Sequence, residues 1–110
     1  MILETLGQIE TKIRNTGALP EESRRELLTL LADLKSEVAT LSRHDAAQAR
    51  SITAFTEVST HEATRERKQP QLLDASLSGL KASVDGFEQS HPKLVEVVNR
   101  IATALSNLGI

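Results

Sequence analysis

Residues 42–69 read SRHDAAQARSITAFTEVSTHEATRERKQ, and the conformation of this stretch decides whether the chain forms a short bundle or is built around one long rod. The heptad spacing of the preceding segment continues in phase through Asp45, Gln48, Ile52, Phe55, Ser59 and Glu62, of which only Ile52 and Phe55 are strongly apolar. No Gly or Pro lies between Glu21 and Gln69, and Ala46, Ala47 and Ala49 favour helix because alanine loses no side-chain freedom there. With no strong breaker, the segment is expected to be mostly helical. In the extreme form a single helix from about 20 to 67 would be on the order of 70 Å long at ~1.5 Å per residue. The competing reading breaks the helix near 42–45 or at Ser59–Glu62, whose spacing is that of a capping box. If the helix projects beyond its neighbours, Ile52 and Phe55 would lie uncovered on its stripe and form a candidate interaction surface.

On the N-terminal side of this stretch, Leu27, Leu31, Leu34, Val38 and Leu41 follow heptad spacing, widened by Leu28 and Leu30. A two-stranded zipper needs only the narrow stripe, so the wider face predicts packing against more than one neighbour. Ile2, Leu6, Ile9 and Ile13 mark an earlier helix face. Between the two, Gly17 suits a left-handed residue after a helix end and Pro20 the first turn of the next, with Glu21 and Glu22 at the positive end of its dipole. A helical hairpin near 16–20 is expected.

On the C-terminal side, Pro70 ends the stretch and the basic run Arg65–Lys68 reads as a helix C-terminal turn. Leu73, Leu77, Leu80, Val84 and Phe87 predict a helix over about 71–89. Leu94, Val98, Ile101, Leu105 and Leu108 predict another over about 91–108, closed by Gly109 in a left-handed position with Ile110 packed back on Leu105. The two stripes share one phase through His91, which precedes Pro92. A proline inside a helix costs about 3 kcal/mol or more, whereas in the first turn it costs almost nothing. Ser90, His91 and Pro92 are therefore expected to form a structural corner, with Ser90 as N-cap, rather than one long kinked helix. The fold class that follows is all-α: a single helical domain over 1–110, an antiparallel bundle of about four helices.

Composition narrows the function. The only aromatics are Phe55 and Phe87, with no Trp or Tyr, which leaves few rings for base stacking or for anchoring a partner. A net charge of −2 provides no long-range attraction to phosphate backbones, so nucleic acid is not an expected partner. Without cysteine, disulfides, thiolate catalysis and thiolate metal sites are absent. Glu4 interrupts MILETLGQIETKIR before a signal-peptide core forms, no run approaches membrane-spanning length, and the helix faces mix both charge signs. A cytoplasmic protein without membrane association is expected.

No catalytic constellation emerges. Glu88 and His91 have the Glu-x-x-His spacing of di-iron bundles, but the second copy such sites require is missing. HEATR at 61–65 begins like a zinc-protease motif, yet Arg65 stands where the second histidine ligand belongs. His44 beside Asp45 has no nucleophile placed by any motif and reads as a solvated helix face. No catalytic residue, cofactor or metal ligand is therefore assigned.

FEQSHPKLVEVVNRIATALSNLGI, residues 87–110, resembles the ending of a family of short bacterial helical proteins known only as a domain of unknown function. In that family a Phe-Glu-x-x-His-Pro-x-Leu segment leads into a last helix closing in Gly-Ile. LPEESRRELLTLLADL, residues 19–34, is similar in style to its first helices. The resemblance implies no activity, cofactor or catalytic residue. Two functional expectations remain. The first is a non-catalytic protein–protein interaction or assembly module that self-associates through its heptad-spaced apolar faces. The alternative is a small ligand-binding protein or enzyme with its site at the Glu88, His91 and Lys93 corner, where an acid, a base and a cation cluster in sequence.

Overall fold

The computed structural model describes residues 1–17 and 19–108. It contains five helices, α1 (Ile2–Asn15), α2 (Glu21–Leu41), α3 (Ala46–Thr64), α4 (Pro70–Ala82) and α5 (Pro92–Leu108), with no strand among the described residues. Each apolar stripe turns inward. Leu6, Ile9 and Ile13 of α1, Leu27, Leu31, Leu34, Val38 and Leu41 of α2, Leu73, Leu77 and Leu80 of α4, and Leu94, Val98, Ile101 and Leu105 of α5 meet in one aliphatic core. The expected all-α bundle is present, with one helix more than anticipated.

The extra helix comes from residues 42–69, which do not continue α2. Arg43 N–H and His44 N–H bond the carbonyls of Thr40 and Leu41 in a tight turn, and Asp45 then caps α3 by accepting the N–H of Gln48 at 3.1 Å. The cap satisfies an orphan donor of the first turn, so a short polar turn suffices to end one helix and start the next without Gly or Pro. A helix of roughly 70 Å could not fit a molecule whose longest extent is 37 Å. Ser59 and Glu62 lie inside α3 and mark no break. Replacing Asp45 with Ala removes the cap and is expected to cost about 1 kcal/mol, lowering the melting temperature by ~5 °C in a circular-dichroism melt.

The chain runs up and down. Gln48 Nε2 donates to Ser83 O, and the Phe55 ring lies over Gly79, so α3 and α4 are antiparallel. Lys12 meets His61 at 3.3 Å near the C-terminal ends of α1 and α3, which run parallel. Helix α3 touches all four other helices. Its buried positions are accordingly small or polar: Ala49, Thr53, Thr56, Ser59, Thr60 and Ala63 beside Ile52. Thr53 and Thr56 donate their hydroxyls to the carbonyls four residues back, which lets them sit in the core with their polar atoms paired.

The α1–α2 hairpin forms as expected, with Pro20 at the N-cap of α2 rather than inside its first turn. Gly17 is not left-handed; among the described residues only Gly86 has positive φ. The Ile13 and Arg14 carbonyls at the end of α1 are served instead by the Arg24 guanidinium, which also donates to Leu19 O in the connection. Helix α4 stops at Ala82, well short of 89, and residues 83–91 form turns in which Val84 and Phe87 still pack on the core. The stripe keeps its phase there without regular helix. At the end of α3, Lys68 Nζ donates to Ala63 O, so the basic run does close that helix. The expected ending at Gly109 and Ile110 lies outside the described residues.

Candidate interaction face and histidine corner

Ile52 and Phe55 do not share a surface. Ile52 is fully buried, so as a surface residue it is a misassignment. The premise failed because α3 does not project: the other helices close over the side that carries Ile52. Phe55 is 38 % exposed and Val58 47 %. With about 100° per residue, Ala47, Arg50, Ala54, Val58 and His61 recur at helical spacing on the side opposite Ile52, and all are exposed. Phe55 flanks this stripe where its ring rests on Gly79.

Two grooves follow the seam between α1 and α3. The larger, about 400 Å³, is lined by Ile9, Lys12, Val58 and His61 among others. The smaller, about 210 Å³, is lined by Met1, Ile2, Arg50 and Ala54. Glu57 lines both. The face thus combines apolar ground with a cation, Arg50, two helical turns from an anion, Glu57. Lys12 Nζ lies 3.3 Å from His61 Nδ1, and the Glu62 carboxylate, itself paired with Arg65 at 3.1 Å, lies 3.9 Å from Nε2.

The expected corner is present between α4 and α5, but Ser90 is not its cap. Helix α5 begins at Pro92, which makes His91 the residue before the first turn. The Ser90 hydroxyl lies 3.0 Å from His91 Nδ1, a partner that spacing alone could not indicate. The proposed acid of a Glu88, His91 and Lys93 site is engaged elsewhere: the Glu88 carboxylate accepts the N–H of Gly86 at 2.9 Å and so closes its own turn.

His91 has a different neighbour. The α2–α3 turn and the 83–91 connection lie at the same end of the bundle, and they bring the His44 and His91 rings to a centroid separation of 5.7 Å. Phe87 packs edge-on against His91 at 5.6 Å. Nothing local in the sequence signals the histidine pair, because it depends on where two separate corners fall. Among the described residues there is no group of three His, Cys, Asp or Glu that could hold a metal ion, and no helix is long and apolar enough to cross a membrane.

No curated protein and no solved structure matches the chain significantly. A family model described as Domain of unknown function (DUF4404) matches residues 27–110, from the first buried leucine of α2 through α5. That match covers more than half of the chain and includes the Phe-Glu-x-x-His-Pro-x-Leu segment, so the chain belongs to this family of domains of unknown function.

Proposed function

We propose that the chain is a non-catalytic helical assembly module that pairs with a second copy of itself through the outward face of α3. The observation that carries this reading is the uncovered stripe Ala47, Arg50, Ala54, Val58 and His61, with Phe55 on its flank. The heptad stripes of α1, α2, α4 and α5 are spent on the chain's own core, which leaves this face for a partner. Its charges are self-complementary. With a two-fold axis between Thr53 and Ala54, an antiparallel copy of α3 sets each Arg50 level with the other copy's Glu57, and the small Ala54 lets the helices approach closely. An isologous interface of this kind demands that residue i meet j while j meets i, and opposite charges fix its register.

Light scattering or sedimentation equilibrium tests the reading. The parent chain is expected at twice its monomer mass. Arg50→Glu places like charges together and should weaken pairing about tenfold or more, while Arg50→Glu with Glu57→Arg restores it. A monomeric parent, or a double variant no better than the single one, would overturn the proposal.

A further inference from the structure

We propose that His44 and His91 form a two-imidazole clamp for a divalent late transition-metal ion, with Zn²⁺, Ni²⁺ or Cu²⁺ as the class it takes. Imidazole suits these ions, whereas Mg²⁺ and Ca²⁺ require oxygen ligands. The geometry fits. Two imidazoles bound to one ion at about 2.1 Å from metal to nitrogen have ring centroids roughly 5 Å apart, and the observed separation is 5.7 Å with the rings inclined by 31°.

The second ring nitrogen of His91 is already provided for. Ser90 Oγ stands 3.0 Å from Nδ1, and an Nδ1–H donating to that hydroxyl leaves the Nε2 lone pair for the ion. Metal-bound histidines are oriented in this way, by an oxygen that accepts from the nitrogen not used in binding. The edge-on contact with Phe87 limits the swing of the ring. His44 is exposed and His91 half-buried, so an ion can enter from solvent.

The neighbouring carboxylates have other work. One Asp45 oxygen caps α3, and Glu88 closes the Gly86 turn. With two protein ligands the rest of the coordination shell falls to water, which makes the site exchangeable rather than a closed structural centre. Its effect is mechanical: the ion ties the α2–α3 corner to the α4–α5 corner, next to the link that Gln48 Nε2 makes to Ser83 O. Binding to the native state alone raises its stability by mass action.

With three histidines and no cysteine in the chain, the test is well controlled. Far-UV circular-dichroism melts with Zn²⁺ or Ni²⁺ at a hundredfold excess over the dissociation constant are expected to raise the midpoint by about 10 °C, and Mg²⁺ to leave it unchanged. His44→Ala and His91→Ala should each abolish the shift. His61→Ala, on the α1–α3 seam, should keep it. Ser90→Ala should weaken binding by roughly tenfold. Ring ¹H–¹⁵N spectra of the parent chain provide a readout that needs no variant: the signals of two histidines move together and the third stays. No shift with either ion, or a shift that survives loss of both His44 and His91, would overturn the clamp.

Discussion

Ile52→Asp leaves the chain without a cooperative thermal transition, whereas Phe55→Asp, three positions along the same helix, melts within about 5 °C of the parent. Ile52 is fully buried in the helix that touches all four others. Truncating such a side chain costs about 2–5 kcal/mol through lost burial and the cavity left behind. A carboxyl group at the same point adds the cost of burying an unpaired polar group, several kcal/mol even when it is protonated and neutral. A domain of this size is stable by only about 5–15 kcal/mol, so the sum removes most or all of it. Leu34→Asp and Val38→Asp, both at fully buried positions of α2, are expected to behave like Ile52→Asp. Phe55 keeps 38 % of its surface in water, and a carboxylate there can stay solvated. Its loss of packing on Gly79 is local, and in light scattering the variant is expected to show a lower mass than the parent. A folded, cooperative Ile52→Asp would mean that α3 is not enclosed by the other helices.

The helices that were legible in the sequence are those with one buried side. In α1, α2 and α5 the apolar residues recur at helical spacing because only one face of each meets the core, and Leu34, Val98 and Ile101 are found where their spacing places them. Helix α3 escapes this logic. Its inward side meets all four other helices, and apart from Ile52 and Glu62 the buried positions carry Ala, Ser and Thr, which resemble a solvated face in sequence. Ile52 and Phe55 then stand out as an apolar pair although they point in different directions. The break at 42–45 is faint in the sequence, since Asp45 caps α3 without a Gly or Pro to announce it.

At the corner, Pro92 marked the start of α5 within one residue. The end of α4 was hidden because Val84 and Phe87 hold the apolar phase from turns rather than from helix. The part of the candidate site that no sequence pattern could reveal is the pairing of His44 with His91, a property of tertiary placement alone.

Ala49→Leu and Ala63→Leu test the enclosure of α3 from the opposite direction, by adding volume rather than charge. Both alanines are fully buried, and both belong to the inward side that carries Ile52. The distance between packed helices follows the size of the side chains at the contact, so the small residues at most inward positions, Ala49, Thr53, Thr56, Ser59, Thr60 and Ala63, allow α3 its place among four neighbours. A leucine introduces three more carbons where the close packing of a protein interior leaves no room for them. Either α3 is displaced from α2, α4 and α5, or the new side chain takes a strained rotamer. Overpacking of this kind costs about 1–3 kcal/mol, and a site enclosed on several sides lies at the upper end because few directions of relief exist. Each variant should melt ~10 °C or more below the parent. Ala32→Leu serves as the control, since Ala32 is exposed in the middle of α2, away from the outward stripe of α3, and leucine is nearly as good a helix former as alanine; its midpoint should move by no more than about 3 °C. The two directions of change separate a surrounded helix from a merely polar one. A helix that packs loosely at the margin of the bundle would accept leucine at 49 and 63 and gain stability from the added apolar contact, so midpoints at or above that of the parent would place α3 at the margin and return its small residues to the role of a solvated face.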